Sequence, residues 1–137
     1  MEFLINNIAL VFLILISGIM LIFPKLISSN NNIISPKDAV ALINNQMTVI
    51  IDVRNPEEFE KEKINNALNI PLDLLAENID SLKKKSKRTL IIYCQKGFRS
   101  AQAVKILKKL GIEILVSIDG GLDAWHKDNL PTIMRSK

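Results

Sequence analysis

Residues 89–100 read Thr-Leu-Ile-Ile-Tyr-Cys-Gln-Lys-Gly-Phe-Arg-Ser, and this stretch decides how the rest of the chain is interpreted. The first five residues form a short apolar run rich in β-branched side chains, which is typical of a strand buried on both faces of a parallel sheet. Cys94 follows the run, and a glycine-containing turn leads into a helical pattern that begins near Ser100. In sheets of this kind ligands bind beyond the carboxyl ends of the strands, so the pattern predicts a site at Cys94.

Two other apolar runs, at 48–53 and 114–118, have the same character and also predict buried strands. One helical stretch, 36–43, precedes the first run, and two others, 56–61 and 100–110, stand between the runs. The first of these opens with Ser35-Pro36, a capping residue followed by a proline at the first helical position. Strands that alternate with helices predict a three-layer α/β domain.

Cys94 is the only cysteine of the chain, which excludes an intramolecular disulfide. Loop N–H groups and the start of the following helix favour an anion at its sulfur, and the cations of Lys96 and Arg99 add to this effect. Gly97 stands where the loop must turn or let two backbones approach closely. An inert, buried cysteine is the alternative, but the polar Lys-Gly-x-Arg-Ser sequence suits an anion site better than an apolar pocket.

Asp52 and Arg54 lie at the end of the strand 48–53, where a buried charge is costly unless it is paired. We therefore interpret them as an ion pair that supports the site. Trp125 is expected to be a packing anchor whose indole N–H needs a partner, and His126 is expected to be exposed and without a role.

Four motifs follow one another along the chain, at 51–59 (Ile-Asp-Val-Arg-Asn-Pro-Glu-Glu-Phe), 64–71, 94–100 and 119–125. With this order and spacing, the stretch from Ser35 to Pro131 resembles the rhodanese family. The family usually has a glycine and a histidine before the isoleucine at Ile64, and a proline and a glycine after it, and this chain lacks these four residues. The resemblance implies a central parallel sheet of about five strands covered by helices on both sides.

The resemblance also implies an activity, in which Cys94 takes a sulfane sulfur from a small donor such as thiosulfate and holds it as a persulfide. The sulfur then passes to a thiol or similar nucleophilic acceptor, and neither a cofactor nor a metal is expected. The loop residues around the substrate anion would be Gln95, Lys96, Gly97, Phe98, Arg99 and Ser100.

Two other functions stay open at this point. One is an interaction module that keeps the fold with little or no turnover. The other is a phosphatase or arsenate reductase built on the same loop. The related dual-specificity phosphatases carry five residues between cysteine and arginine, whereas four separate Cys94 from Arg99 here, and this disfavours the second alternative.

The segment before the domain is strongly apolar. Residues 4–23 supply roughly the 20 residues that a membrane-spanning helix needs, and they predict a membrane anchor. A cleavable signal peptide is disfavoured because Glu2 and no basic residue precede the apolar block. Lys25 and Lys37 follow the block, so the positive-inside rule predicts a single-pass protein of the bacterial inner membrane with its domain in the cytoplasm. The predicted division is an anchor and polar tether over 1–33 and the domain over 34–137.

The net charge of +4 is modest, and much of it lies in the run 83–88. No aromatic residue that could stack on a base interrupts that run, so nucleic acid is not expected as a partner. The run is interpreted as a solvated loop.

Overall fold

The computed structural model describes residues 1–27, 32–45 and 47–136, with the backbone alone for 22–27. The chain divides into two compact units, Met1–Asn31 and Asn32–Lys137. Residues 28–31 of the predicted tether lie outside the described residues.

The first unit contains two helices, α1 (Glu2–Asn6) and α2 (Ile8–Ile27). Among the described residues, no helix combines the length and the apolar character required to cross a membrane. The predicted anchor over residues 4–23 is therefore wrong, and so is the single-pass location in a bacterial inner membrane with a cytoplasmic domain. The physical reason is that α1 ends at Asn6 and α2 begins at Ile8, and that Pro24 and Lys25 follow Phe23 in the sequence. The continuous apolar stretch within one helix is therefore shorter than roughly 20 residues.

The second unit is built on a five-stranded sheet in the order β1-β6-β5-β2-β4, and every neighbouring pair is parallel. This confirms the predicted α/β domain and its central parallel sheet. A small antiparallel pair, β3 with β7, lies outside that sheet. The strands are β1 (Ile33–Ile34), β2 (Thr48–Asp52), β3 (Glu62–Lys63), β4 (Leu68–Asn69), β5 (Thr89–Tyr93), β6 (Leu115–Ile118) and β7 (Ile133–Met134).

Helices cover both faces of the sheet because successive strand side chains point to opposite sides. Ile92 belongs to a core cluster with Leu82 and Leu107, whereas Ile91 belongs to a second cluster with Ala39 and Trp125. The predicted three layers are therefore present. The helices are α3 (Pro36–Asn44), α4 (Pro56–Lys61), α5 (Ile79–Lys85), α6 (Phe98–Lys109) and α7 (Gly121–Lys127), with a 3-10 turn at Leu72–Leu74.

The central strands bring the predicted site residues together. Asp52 at the end of β2 pairs in register with Tyr93 at the end of β5. Arg54 and Cys94 follow these two strand ends, so they emerge side by side at the carboxyl edge of the sheet. Helix α6 begins at Phe98, two residues earlier than predicted, directly after Gly97 in the left-handed conformation.

Candidate active site

Cys94 lies at the base of a loop that curls around its sulfur. The residue is only 1% exposed, and its Sγ accepts hydrogen bonds from the backbone N–H of Gly97 at 3.0 Å and of Ser100 at 3.4 Å. Among the described residues, the nitrogen donors to this sulfur are these backbone groups and not a side-chain cation. Main-chain donors aimed at one point make an anion site.

Gly97 makes this curl possible. Its φ is +102°, a conformation that residues with a Cβ adopt at a cost, and a Cβ there would lie 3.2 Å from the backbone N of Gly120. The predicted turn therefore contains Gly97 in the left-handed conformation, packed against the backbone of Gly120.

Helix α7 holds the other side of the loop, through contacts that the sequence did not predict. The backbone N–H of Leu122 donates to the carbonyl of Cys94 at 2.8 Å, and that of Asp123 donates to the carbonyl of Gln95 at 3.0 Å. A Cβ at Gly121 would collide with both of these carbonyls. The Gly-Gly pair at 120–121 was the available signal, because paired glycines before a helix often mark a close backbone approach.

Two buried hydroxyl groups form a chain that leads to the sulfur. Ser100 Oγ donates to the carbonyl of Gly97 at 3.1 Å and lies 3.6 Å from Cys94 Sγ. Ser117 Oγ, on β6, donates to Ser100 Oγ at 2.8 Å. Sequence reasoning included Ser100 in the loop but missed Ser117, whose only signal was a polar residue within an apolar run.

Arg99 is placed differently from the expectation. Its guanidinium forms an ion pair with Glu58 of α4, with Nη1 3.0 Å from Oε2 and Nη2 3.4 Å from Oε1. Both side chains are about one-third exposed, at 33% and 39%. The cation predicted to act on the sulfur is thus paired with a carboxylate that sequence reasoning did not single out.

A cleft of about 220 Å³ leads to the sulfur. Phe98, at 77% exposure, is an apolar surface at its rim, and Lys96 is also exposed. A larger cavity of about 800 Å³ borders Thr48 at the opposite end of β2 and includes no residue of the cysteine loop. The small cleft is lined by Glu58, Cys94, Gln95, Lys96, Phe98 and Arg99.

Asp52 and Arg54 form the predicted buried pair, with Nη2 2.7 Å from Oδ2 and exposures of 0% and 2%. Burial acts to lower the pKa of Arg54, but the hydrogen bonds and charge of Asp52 outweigh it and the pKa is raised. Arg54 Nη1 donates to Gln95 Oε1 at 3.1 Å, and Gln95 Nε2 donates to Asp123 Oδ1 at 2.5 Å. The pair is thereby linked through the Gln95 side chain to the cysteine loop and to α7.

The segment that departs from the family pattern has contacts of its own. Glu62 accepts from Thr132 Oγ1 at 2.6 Å and lies 2.6 Å from the imidazole of His126. Burial acts to raise the pKa of Glu62, but these two hydrogen bonds and the charge of His126 outweigh it and lower the pKa. His126 is exposed as expected, but it has this partner and is not isolated. Trp125 is buried, and its indole N–H donates to the carbonyl of Pro131 at 3.0 Å.

No group of three or more metal-ligating side chains occurs in the part of the chain that the structure describes. The site therefore consists of one sulfur, main-chain donors, two hydroxyls and a charged rim.

A parallel α/β domain with a buried cysteine whose sulfur accepts hydrogen bonds from backbone amides defines the class of protein. The family model for the rhodanese-like domain matches residues 35–128 of this chain. The chain belongs to the rhodanese-like domain family.

Relatives and solved structures agree with this assignment. The uncharacterized protein slr1261 of Synechocystis sp. is 35% identical over 106 residues, which span 77% of this chain and 58% of the relative's own length. A sulfurtransferase of Allochromatium vinosum is 30% identical over 103 residues, 75% of this chain and 94% of that protein. The crystal structure of a rhodanese-related protein from Thermoplasma volcanium superposes with a TM-score of 0.66 at 30% identity, covering 74% and 97% of the two chains.

Proposed function

We propose that this protein is a sulfurtransferase and that Cys94 carries the transferred sulfur as a persulfide. The observation that carries the proposal is the position of Sγ, which lies at the base of an open cleft with two backbone N–H groups directed at it. These groups stabilise a thiolate, which is the nucleophilic form of cysteine. The similarity to a protein named as a sulfurtransferase supports the same reaction.

In the first step the Cys94 thiolate attacks the outer, sulfane sulfur of a donor such as thiosulfate. A bond forms between Sγ and that sulfur while the sulfur–sulfur bond of thiosulfate breaks, and sulfite leaves with the electron pair. Cys94 becomes a persulfide with one negative charge, so charge and atoms balance. Lys96 lies at the rim, where its ammonium group attracts the anionic donor.

In the second step the thiolate of an acceptor attacks the outer sulfur of the persulfide. The acceptor gains that sulfur, and Cys94 leaves as the thiolate that began the cycle. No cofactor is needed in either step. Phe98 offers an exposed aromatic surface beside the cleft for the apolar part of a thiol or of a protein acceptor.

Incubation of the reduced protein with thiosulfate, followed by intact mass spectrometry, tests the proposal. We expect a gain of one sulfur atom that dithiothreitol removes, together with release of sulfite. Cys94→Ser keeps the size of the side chain and is expected to gain nothing. A wild-type protein that stays unmodified, or a Cys94→Ser protein that still takes up sulfur, would contradict it.

A further inference from the structure

Ser117 is a polar residue on the side of β6 that faces the hydrophobic core. It is 3% exposed and lies two residues after Leu115, so the two side chains point to the same face of β6. Leu115 packs in the core cluster that includes Val104 and Leu107 of α6. A hydroxyl on this face must find a partner, and Ser117 finds it in Ser100 rather than in its own strand.

The hydrogen bonds of Ser100 show why this contact matters. A hydroxyl has one hydrogen to donate and two lone pairs that accept. Ser100 donates to the carbonyl of Gly97, accepts from Ser117, and has its remaining lone pair available to the thiol of Cys94 at 3.6 Å. With Cys94 as a thiol, every hydrogen-bonding position of Ser100 is occupied.

Loss of the thiol proton changes this arrangement. A thiolate has no hydrogen to donate, so Ser100 loses one incoming bond, and its own hydrogen is free to turn from Gly97 towards the sulfur. Ser117 donates to Ser100 in both states and therefore holds the oxygen in place during the change. Because each bond in a chain polarises the next, donation by Ser117 also strengthens the bond that Ser100 gives to the anion.

We propose that Ser117 is a positioning residue for Cys94, which acts through Ser100 to favour the anionic form of the sulfur. The inference rests on the proposed function in that it takes the reacting form of Cys94 to be anionic. The inference adds to the site a residue of β6 that follows the cysteine by 23 positions.

Threonine and valine at position 117 give a matched pair, because they have nearly the same shape and differ in the hydroxyl. The measurement is the rate of Cys94 alkylation by iodoacetamide between pH 5 and pH 10, which reports the fraction of thiolate. For Ser117→Val we expect the midpoint of this profile to move to higher pH and the rate at neutral pH to fall by about three- to tenfold, the effect of one lost hydrogen bond. For Ser117→Thr we expect the profile to stay close to that of the wild type.

One control variant and one comparison distinguish an effect on the sulfur from a general loss of stability. Val116→Ala removes side-chain volume from the opposite face of the same strand, so it is expected to lower stability without moving the midpoint. The charged groups that share the cleft with the sulfur, Glu58, Lys96 and Arg99, are the same in all variants, so they do not account for a difference between threonine and valine. If Ser117→Val does not fold, Ser117→Ala replaces it.

Identical alkylation profiles for the valine, alanine and threonine variants would overturn the inference. The test does not depend on sulfur transfer, because alkylation needs no donor. Failure of the wild type to take up sulfur would count against the proposed function alone. A midpoint that is shifted in Ser117→Val and unshifted in Ser117→Thr would support the role of Ser117 in either case.

Discussion

The carboxylate of Glu58 holds the guanidinium of Arg99 in a two-point contact, with 3.0 Å between Nη1 and Oε2, at the rim of the cleft above Cys94. The contact joins α4 to the first turn of α6, which are 41 residues apart in sequence. A negative charge therefore stands at the entrance of a site proposed to receive an anion.

Replacement of Glu58 by glutamine should release Arg99 and remove the carboxylate that repels the donor. We expect the KM for thiosulfate to fall by about fivefold, which corresponds to about 1 kcal/mol for one partly screened charge. The effect should shrink as salt is added, because screening weakens interactions between exposed charges. Steady-state kinetics at two ionic strengths check this, with Glu57→Gln, an exposed neighbour on α4, as the control. An unchanged or higher KM would show that the ion pair does not act on the donor.

Gly121 and Gly111 allow the cost of a positive φ to be separated from the cost of a steric clash with the cysteine loop. Both have positive φ, +59° and +97°, but a Cβ at Gly111 meets only the end of the Lys83 side chain at 3.8 Å. We expect Gly111→Ala to cost about 1 kcal/mol for the backbone conformation alone. Gly121→Ala should cost about 3 kcal/mol or more, because the loop carbonyls must also move. Urea denaturation measures both, and equal losses would refute the importance of the close approach.

Removal of one partner of the buried Asp52–Arg54 ion pair should strongly destabilise the fold. Asp52→Asn leaves the Arg54 guanidinium buried without its counter-charge, and we expect a loss of about 3–5 kcal/mol in the free energy of unfolding. The double variant Asp52→Leu with Arg54→Met should be less destabilised than the single one, because no unpaired charge is left. It should nevertheless load sulfur more slowly, since Gln95 loses the donor that holds it. Denaturation and loading rates on the same samples check both statements.

Glu62 should make stability depend on pH in a defined direction. Its folded-state pKa is lowered from the ordinary value of 4.5, so the folded protein binds the proton less readily than the unfolded chain does. The resulting stability is fully present above about pH 5, and it is lost as the pH falls through the folded-state pKa. Glu62→Gln should therefore be less stable than wild type at pH 6, and the difference should shrink as the pH falls through the folded-state pKa of Glu62. Thermal unfolding of both proteins at a series of pH values measures this, with Glu113→Gln, at an exposed position, as the control. A stability difference between wild type and Glu62→Gln that grows at low pH would contradict the prediction.

Much of the fold was predictable because its strongest elements are long and apolar. The runs at 48–53 and 89–93 carry enough β-branched residues to stand out, and they are the two central strands. The edge strands β1 and β4 have two residues each, too few for any periodic pattern. The apolar N-terminal stretch misled the prediction because composition alone does not register where one helix ends and another begins, as happens at Asn7.

The site residues that are close to Cys94 in sequence were predictable, and those that come from distant parts of the chain were not. The amides of Gly97 and Ser100 follow Cys94 within six residues, so their convergence could be inferred from the loop itself. Glu58 of α4 and Ser117 of β6 reach the site from other elements, and the sequence around them does not show that these elements contact the cysteine loop. Side chains brought in by tertiary packing need a structure to be found.

The amides that face the sulfur, and those of α7 that hold the loop carbonyls, belong to the main chain. Substitution by any residue other than proline leaves these N–H groups in the chain, and a change in the path of the backbone would be needed to redirect them. In the proposed reaction, the main chain therefore supplies the groups that act on the sulfur, and side chains at the rim supply those that meet its partners. Substitutions of Lys96 and Phe98 at the rim would change the surface that the proposed donor and acceptor meet, while the shape set by the glycines would leave the loop amides in place.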